Sequence, residues 1–279
     1  MCRSRFVASA VGLVSVVGAA APTGVADTLV PLDQERFTSV LVQSDCEGET
    51  SAGEAAAAFE LFDGVVETSQ QCPEVPTFAS AIAHQTSTIG GSSMTLFAGA
   101  QYSVQSPGSV FASAVSTFSV TFELPRTSVL SASGILLGSG QVPGVETLLE
   151  LTGAGGTVFS LTLGGPFPFG EPIEEAIQEE HTLDPGIYKV HGQALSADAI
   201  DIAEPFFSGE SALNVTIEVA ILGDVNGDGA VDVLDLIAML LCFGQPADPG
   251  CEAEDINGDG VVNVLDLIAL LLAFGTVCP

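Results

Sequence analysis

The residues best placed to do chemistry lie near the C-terminus, in a twelve-residue pattern given twice. Asp224-Val-Asn226-Gly-Asp228-Gly229-Ala230-Val-Asp232-Val-Leu-Asp235 returns as Asp255-Ile-Asn257-Gly-Asp259-Gly260-Val261-Val-Asn263-Val-Leu-Asp266. A calcium ion takes about six to eight oxygen ligands, and a twelve-residue loop delivers them from positions 1, 3, 5, 7, 9 and 12. Asp224, Asn226 and Asp228, then Asp255, Asn257 and Asp259, stand at positions 1, 3 and 5. Gly229 and Gly260 take position 6, where the chain must turn sharply. The carbonyls of Ala230 and Val261 serve at position 7, Asp232 and Asn263 at position 9, often through water. Asp235 and Asp266 close the loops, where an ordinary EF-hand has Glu. The pattern predicts two Ca2+ sites. The first loop carries one carboxylate more than the second, because Asn263 replaces an acid, and is expected to bind more tightly.

The surroundings decide which kind of calcium loop this is. An ordinary EF-hand loop has a helix on each side. Here the first loop follows the strand-like Leu213–Ile221, and the second follows Gln245-Pro-Ala-Asp-Pro-Gly250, where Pro and Gly break a helix. Each loop is followed by an apolar helix, Val233–Phe243 and Val264–Phe274, stopped by Gly244 and Gly275. Loop plus exiting helix, given twice over residues 222–279, resembles dockerin, the calcium-dependent docking module of bacterial extracellular complexes. The resemblance implies a cohesin-like partner domain gripped by the helices, through a pseudo-twofold surface. It also implies an extracellular or cell-surface setting, where dockerins commonly tether enzymes of polysaccharide breakdown. The chain departs from the family in one respect: Val233-Leu234 and Val264-Leu265 stand where dockerins of cellulosomes often carry a polar pair such as Ser-Thr. Helices apolar almost all round need burial on more than one side. That burial comes from a partner, or from the chain's own preceding domain in an intramolecular, calcium-braced clip.

The elements ahead of the repeats read as strands. Phe118, Val120, Phe122 and Leu124 alternate with Ser119, Thr121 and Glu123; Leu213, Val215, Ile217 and Val219 alternate with Asn214, Thr216 and Glu218. Tyr188, Val190, Gly192 and Ala194 form a third such face. Period-two patterns mean strands with one buried face. Gly153–Gly156 joins Leu148–Leu151 to Val158–Leu163 as a hairpin, and Asp184-Pro185-Gly186 starts the strand of Tyr188. Further strands are expected over Thr38–Val42, Ala58–Val66, Ala79–Thr88, Met94–Ser103 and Val129–Leu137, and a short acidic turn of helix over Glu171–Glu180. The reading is mainly β: an antiparallel β-sandwich of jelly-roll or immunoglobulin-like type over 27–221, then a small α-helical module over 222–279. In texture, through Phe62-Asp63-Gly64 and Pro185-Gly186-Ile-Tyr188, the first domain resembles the β-sandwiches of exported bacterial surface proteins.

Residues 1–26 read as a secretory signal, with Arg3 and Arg5 ahead of the uncharged run Phe6–Ala21 and small residues before Asp27. Its removal takes Cys2 away. Cys46–Cys72 and Cys242–Cys251 are the expected disulfides, with Cys278 left over. Thirty-five Asp and Glu against five Lys and Arg give a charge of −30. Such a field repels nucleic acid and anionic lipid and suits divalent cations. No later segment reads as a membrane span. No nucleophile, zincin or nucleotide motif appears, so no catalytic residues are assigned. Glu179-Glu180-His181 with His191 read as surface residues rather than a metal site. A sugar-binding platform is poorly supplied, with no Trp and only Tyr102 and Tyr188. The expected function is that of a secreted, non-enzymatic structural or interaction protein docked through calcium; the alternative is a polysaccharide-binding or polysaccharide-degrading sandwich tethered in the same way.

Overall fold

The computed structural model describes residues 29–275, apart from 45–47, 57–58, 60, 73–76, 106–109, 141–143, 166, 168–170, 201–206, 229 and 248–249, and the side chains of 198–200. The expected signal sequence, Cys46 and Cys278 lie outside the described residues. The chain builds strands β1 (Val30–Ser44), β2 (Gly48–Ala55), β3 (Phe62–Gln71), β4 (Phe78–Ile89), β5 (Ser93–Gln105) and β6 (Val110–Leu124). It continues with β7 (Ser128–Gly140), β8 (Val145–Gly153), β9 (Gly156–Gly164), β10 (Ile173–Leu183), β11 (Gly186–Ile200) and β12 (Phe207–Ile221), followed by helices α1 (Val233–Cys242) and α2 (Val264–Ala273).

Two six-stranded antiparallel sheets result, ordered β2-β1-β6-β11-β8-β9 and β10-β7-β12-β5-β4-β3. The order settles which sandwich this is. β5 pairs β12, β6 pairs β11, β7 pairs β10 and β8 pairs β9, a nested set that is one long hairpin rolled up. The cross-pairings β12 with β7 and β11 with β8 complete an eight-stranded jelly roll. β4 and β3 extend one sheet beyond β5, while β1 and β2 extend the other beyond β6.

The alternating residues fill the interior as their period requires. Phe118, Val120, Phe122, Leu124 and Leu213, Val215, Ile217, Val219 are all buried. Along β4, β5 and β6 the same inner face turns small, with Ala79, Ala81, Ala83, Ala98, Ala100, Ala112 and Ala114 buried. The core is therefore graded, from bulky to alanine-lined. Arg36 is also buried, its Nε donating to Gln34 Oε1 at 2.6 Å and Nη1 to Ser87 Oγ at 3.2 Å, with the Phe62 ring 5.9 Å from the guanidinium.

The expected helical turn at Glu171–Glu180 is a strand. β10 pairs along its whole length with β7, and Ile177 and Leu183 point into the core on the same face as Glu179 and His181. The Glu-rich composition favours a helix locally, but eleven residues in register on a sheet edge outweigh that preference. His181 stacks on Phe159 of β9 with centroids 5.3 Å apart, and its Nε2 lies 3.0 Å from the Glu179 carboxylate, which accepts the hydrogen bond. Inward-pointing charge of this kind blunts an edge strand. β2 is a further strand that period-two reading misses, because all eight of its residues are exposed.

Removing the Phe122 ring from the middle of β6, where it also stacks on Tyr188, leaves a cavity between the sheets. Phe122→Ala is expected to cost about 3–5 kcal/mol. Urea unfolding followed by near-ultraviolet dichroism checks it; a loss below about 1 kcal/mol would contradict a close-packed interior there.

Candidate metal centre

β12 ends at Ile221 and delivers the chain into the first acidic loop. Asn226 and Asp228, at positions 3 and 5, fold inward through amide hydrogen bonds: Asp228 N–H donates to Asp224 Oδ1 at 3.1 Å and to Asn226 Oδ1 at 2.8 Å, and Ala230 N–H donates to Asp228 Oδ1 at 3.0 Å. The second loop repeats the arrangement. Asp259 N–H donates to Asp255 Oδ1 at 3.1 Å and to Asn257 Oδ1 at 2.8 Å, and Val261 N–H to Asp259 Oδ1 at 3.1 Å. The left-handed turn needed between positions 3 and 5 falls on Gly227 (φ 72°) and Gly258 (φ 69°), beside the expected position-6 glycine Gly260 (φ 88°).

Asp235 and Asp266 have a second task that loop spacing alone does not reveal. Each sits in the first turn of its helix, fully buried. Asp235 Oδ1 accepts from Asn226 N–H at 3.0 Å and Oδ2 from Asp232 N–H at 2.8 Å; Asp266 accepts from Asn257 N–H and Asn263 N–H at 3.0 and 2.8 Å. Asp232 and Asn263 cap the helices in return, accepting from Leu234 N–H and Leu265 N–H at 2.7 and 2.8 Å. The reciprocal pair is a capping box, and its sequence signal was the Asp-x-x-Asp and Asn-x-x-Asp spacing ahead of an apolar run.

The donor set fits a hard divalent cation. All the candidate ligands offer oxygen, and residues 222–279 hold ten carboxylates with no Lys, Arg or His. A buried carboxylate needs an opposite charge, and this segment supplies none of its own. When calcium is bound it supplies that charge; Asp224, Asn226, Asp228, Ala230, Asp232 and Asp235 would hold one ion, and Asp255, Asn257, Asp259, Val261, Asn263 and Asp266 another.

The loops differ at position 9. Asn263 Nδ2 donates to Asp259 Oδ2 and to the Val261 carbonyl, both at 3.0 Å, which the Asp232 carboxylate of the first loop has no proton to do. Hydrogen bonds from Asn263, then from Asn257, hold the Asp259 carboxyl below its ordinary value. Asp259 thus keeps its charge to lower pH, and loses it only as pH falls through that depressed value.

The two repeats brace each other. Gly244 N–H, just past α1, donates to Val262 O of the second loop, and Gly275 N–H, just past α2, donates to Val231 O of the first, both at 2.8 Å. Val231, Val262, Met239, Leu270 and Cys242 form a small core with Ile221, partly covered by Leu236 and Leu267. Cys242 and Cys251 are joined in a disulfide, as the spacing suggested, so their sulfurs with the nearby Glu254 are not a metal site. Cys72 is disulfide-bonded as well. Outside this core, each helix exposes the same side chains: Val233, Leu234, Ile237, Leu240 and Leu241 on α1, and Val264, Leu265, Ile268, Leu271 and Leu272 on α2.

Residues 222–271 match the dockerin type I domain. The acidic loops, exiting helices and pseudo-twofold clasp therefore describe a dockerin module. No curated protein matches the chain. Among solved structures, that of infectious bursal disease virus Gt strain is 14% identical with a TM-score of 0.26, covering 70% of this chain and 58% of that one. The enzymatically active domain of tailspike protein 4 of bacteriophage CBA120 is 8% identical (TM-score 0.20; 56% and 19% covered), and a carbohydrate-binding module of the β-sandwich superfamily is 10% identical (TM-score 0.20; 68% and 74% covered). The chain thus spans little more than half the length of the first of these, and the jelly-roll assignment rests on strand order alone. Among the described residues no helix is long and apolar enough to cross a membrane.

Away from the dockerin, the histidines do not assemble. His181 lies on β10, while His191 lies on β11 of the other sheet, half-buried, its pKa lowered by desolvation and by Lys189. A cavity of about 320 Å3 opens on the β10 sheet, lined by Glu180, Glu218, Ser92, Ser93 and Ser131. Glu180, Ser131, Glu218 and Ser93 stand side by side on β10, β7, β12 and β5.

Two predictions follow from the loop geometry. Asp224→Ala with Asp228→Ala is expected to reduce calcium stoichiometry from two to one in titration calorimetry of the full chain, and to lower the melting temperature in saturating calcium; a stoichiometry still at two, or an unchanged melting temperature, would refute the ligand assignment. Asn263→Asp gives the second loop a fourth carboxylate and is expected to tighten its site severalfold, on the order of 1 kcal/mol, whereas Asp232→Asn is expected to loosen the site of the first loop. The reverse order of effects would sink the charge-count account.

Proposed function

We propose that this is a secreted, non-enzymatic structural or interaction protein whose dockerin module binds two calcium ions and docks a cohesin-like domain of an extracellular assembly. The observation that carries the reading is the surface of the helices. Ten large apolar side chains, five on each helix, stand about half exposed or more, and they correspond pair by pair across the repeat. Single exposed leucines are ordinary, but five apolar side chains at i, i+1, i+4, i+7 and i+8 share one helix face, and that face repeated on the next helix of a disulfide-braced module marks an interaction site. The clip reading draws less support, since among the described residues Ile221 is the one sandwich side chain in the module's core. The full secreted chain, immobilised and presented with cohesin domains in calcium, is expected to retain one of them and release it in EDTA. Retention in EDTA, or none in calcium, would count against docking.

A second reading is favoured by the cavity on the β10 sheet. Two carboxylates two strands apart, with serine hydroxyls beside them, are groups that hold sugars, and a strand spacing of about 4.8 Å sets Glu180 and Glu218 roughly 10 Å apart along the sheet. If the sandwich acts on polysaccharide, Glu180→Gln with Glu218→Gln should abolish binding or release of reducing ends while leaving calcium titration intact. Hydrolysis by the native chain that this variant loses would overturn the non-enzymatic proposal.

A further inference from the structure

Resting on that docking reading, we infer that the partner presents a contact face apolar at its centre and basic at its rim, and that a second copy of this chain is the wrong occupant. The centre follows from what the helices expose. At the start of each helix, where a polar pair would make directional hydrogen bonds, Val233 and Leu234 are 54% and 53% exposed and Val264 and Leu265 both 55%. Near the other end Leu241 and Leu272 are 75% and 84% exposed, the most exposed large apolar side chains on the described chain. Nothing in these ten side chains rewards a polar counterpart. A polar group on the partner, set against them and cut off from water, would be left unsatisfied at a cost of about 1–3 kcal/mol.

The rim follows from charge. The dockerin segment has ten carboxylates and no basic residue, so two bound calcium ions still leave it at −6. The acids border the apolar patch directly. Asp232 caps the helix that begins at Val233, and Asp228 and Asp259 lie in the loops that lead into the two helices. At the far end, exposed Glu252 follows Cys251, which is bonded to Cys242 next to Leu241. A face bordered by one sign of charge is complemented by the other, which speeds encounter and rejects like-charged partners. A second copy would bring the same apolar patch but the same negative border, on a chain of −30 overall.

The test uses the full secreted chain in saturating calcium against a panel of cohesin domains chosen to have either Lys- and Arg-rich or acidic contact rims. Basic-rimmed members are expected to bind at least about tenfold more tightly, and to lose about tenfold in affinity between 50 and 500 mM salt, as screening shortens the reach of charge. Leu241→Ser with Leu272→Ser should weaken binding by about tenfold or more with calcium titration unchanged, because both side chains are exposed and outside the module's core. Glu252→Lys, at an exposed position that is not itself a candidate calcium ligand, should weaken the basic-rimmed members and spare the acidic ones. Binding that ignores rim charge and salt would overturn this inference and leave docking standing. Failure of every cohesin to bind in calcium would overturn both.

Discussion

Two buried carboxylates hold the dockerin module together. Asp235 and Asp266 each take one amide hydrogen from the beginning of their loop and one from the N-cap of their helix. A single side chain thereby fixes the distance between loop entry and helix start. Neither carboxylate has a basic residue in its segment to oppose it. Two amide hydrogens help, yet a buried full charge wants an opposite one, and an ion bound by the same loop meets that need. The orientation of each helix, and with it the docking face, is therefore linked to the charge state of the loop that precedes it.

The helices depend on this linkage because they have little else. Each is ten residues long, a length that is marginal in water by itself. Their shared core is small. What holds them is a set of local clamps: capping boxes at one end, glycine amides crossing to the opposite repeat at the other, and the Cys242–Cys251 bond behind. Because the clamps sit at the ends and on one side, the outer faces of Val233–Leu241 and Val264–Leu272 are free of structural duty. Apolar residues there contribute nothing to the module's own fold and cost solubility, which is the physical reason for assigning them to a partner.

The loops were legible in the sequence because calcium coordination imposes a fixed spacing, and spacing survives in one dimension. The jelly-roll class was half legible. Period two located most strands, but strand order depends on pairings more than a hundred residues apart, such as Met94 with Ile217, which no local pattern encodes. β10 was misread because Glu, Gln and Ala favour a helix locally, and its pairing with β7 overrides them. β2 went unseen since it has no buried face to alternate. The burial of Arg36 was equally hidden, for its neighbours Gln34, Ser87 and Phe62 come from three strands. The capping role of Asp235 and Asp266 was visible as a spacing, but the calcium pattern uses the same residues and masks it.

The way the two parts are joined bears on what the sandwich can do for a docked assembly. In a jelly roll the last strand lies inside a sheet, and here β12 runs between β5 and β7, paired with one from Phe207 to Glu218 and with the other from Gly209 to Ile221. The dockerin is thus tethered to a central strand and not to a sheet edge. Tension applied through the module pulls β12 along its own axis, loading both ladders in shear at once, so that many hydrogen bonds must fail together. An edge strand could be peeled one pair at a time. Ile221 closes the connection, ending the strand and packing into the module's core. The same residue therefore belongs to both folded parts, the last of the strand and a member of the module's core.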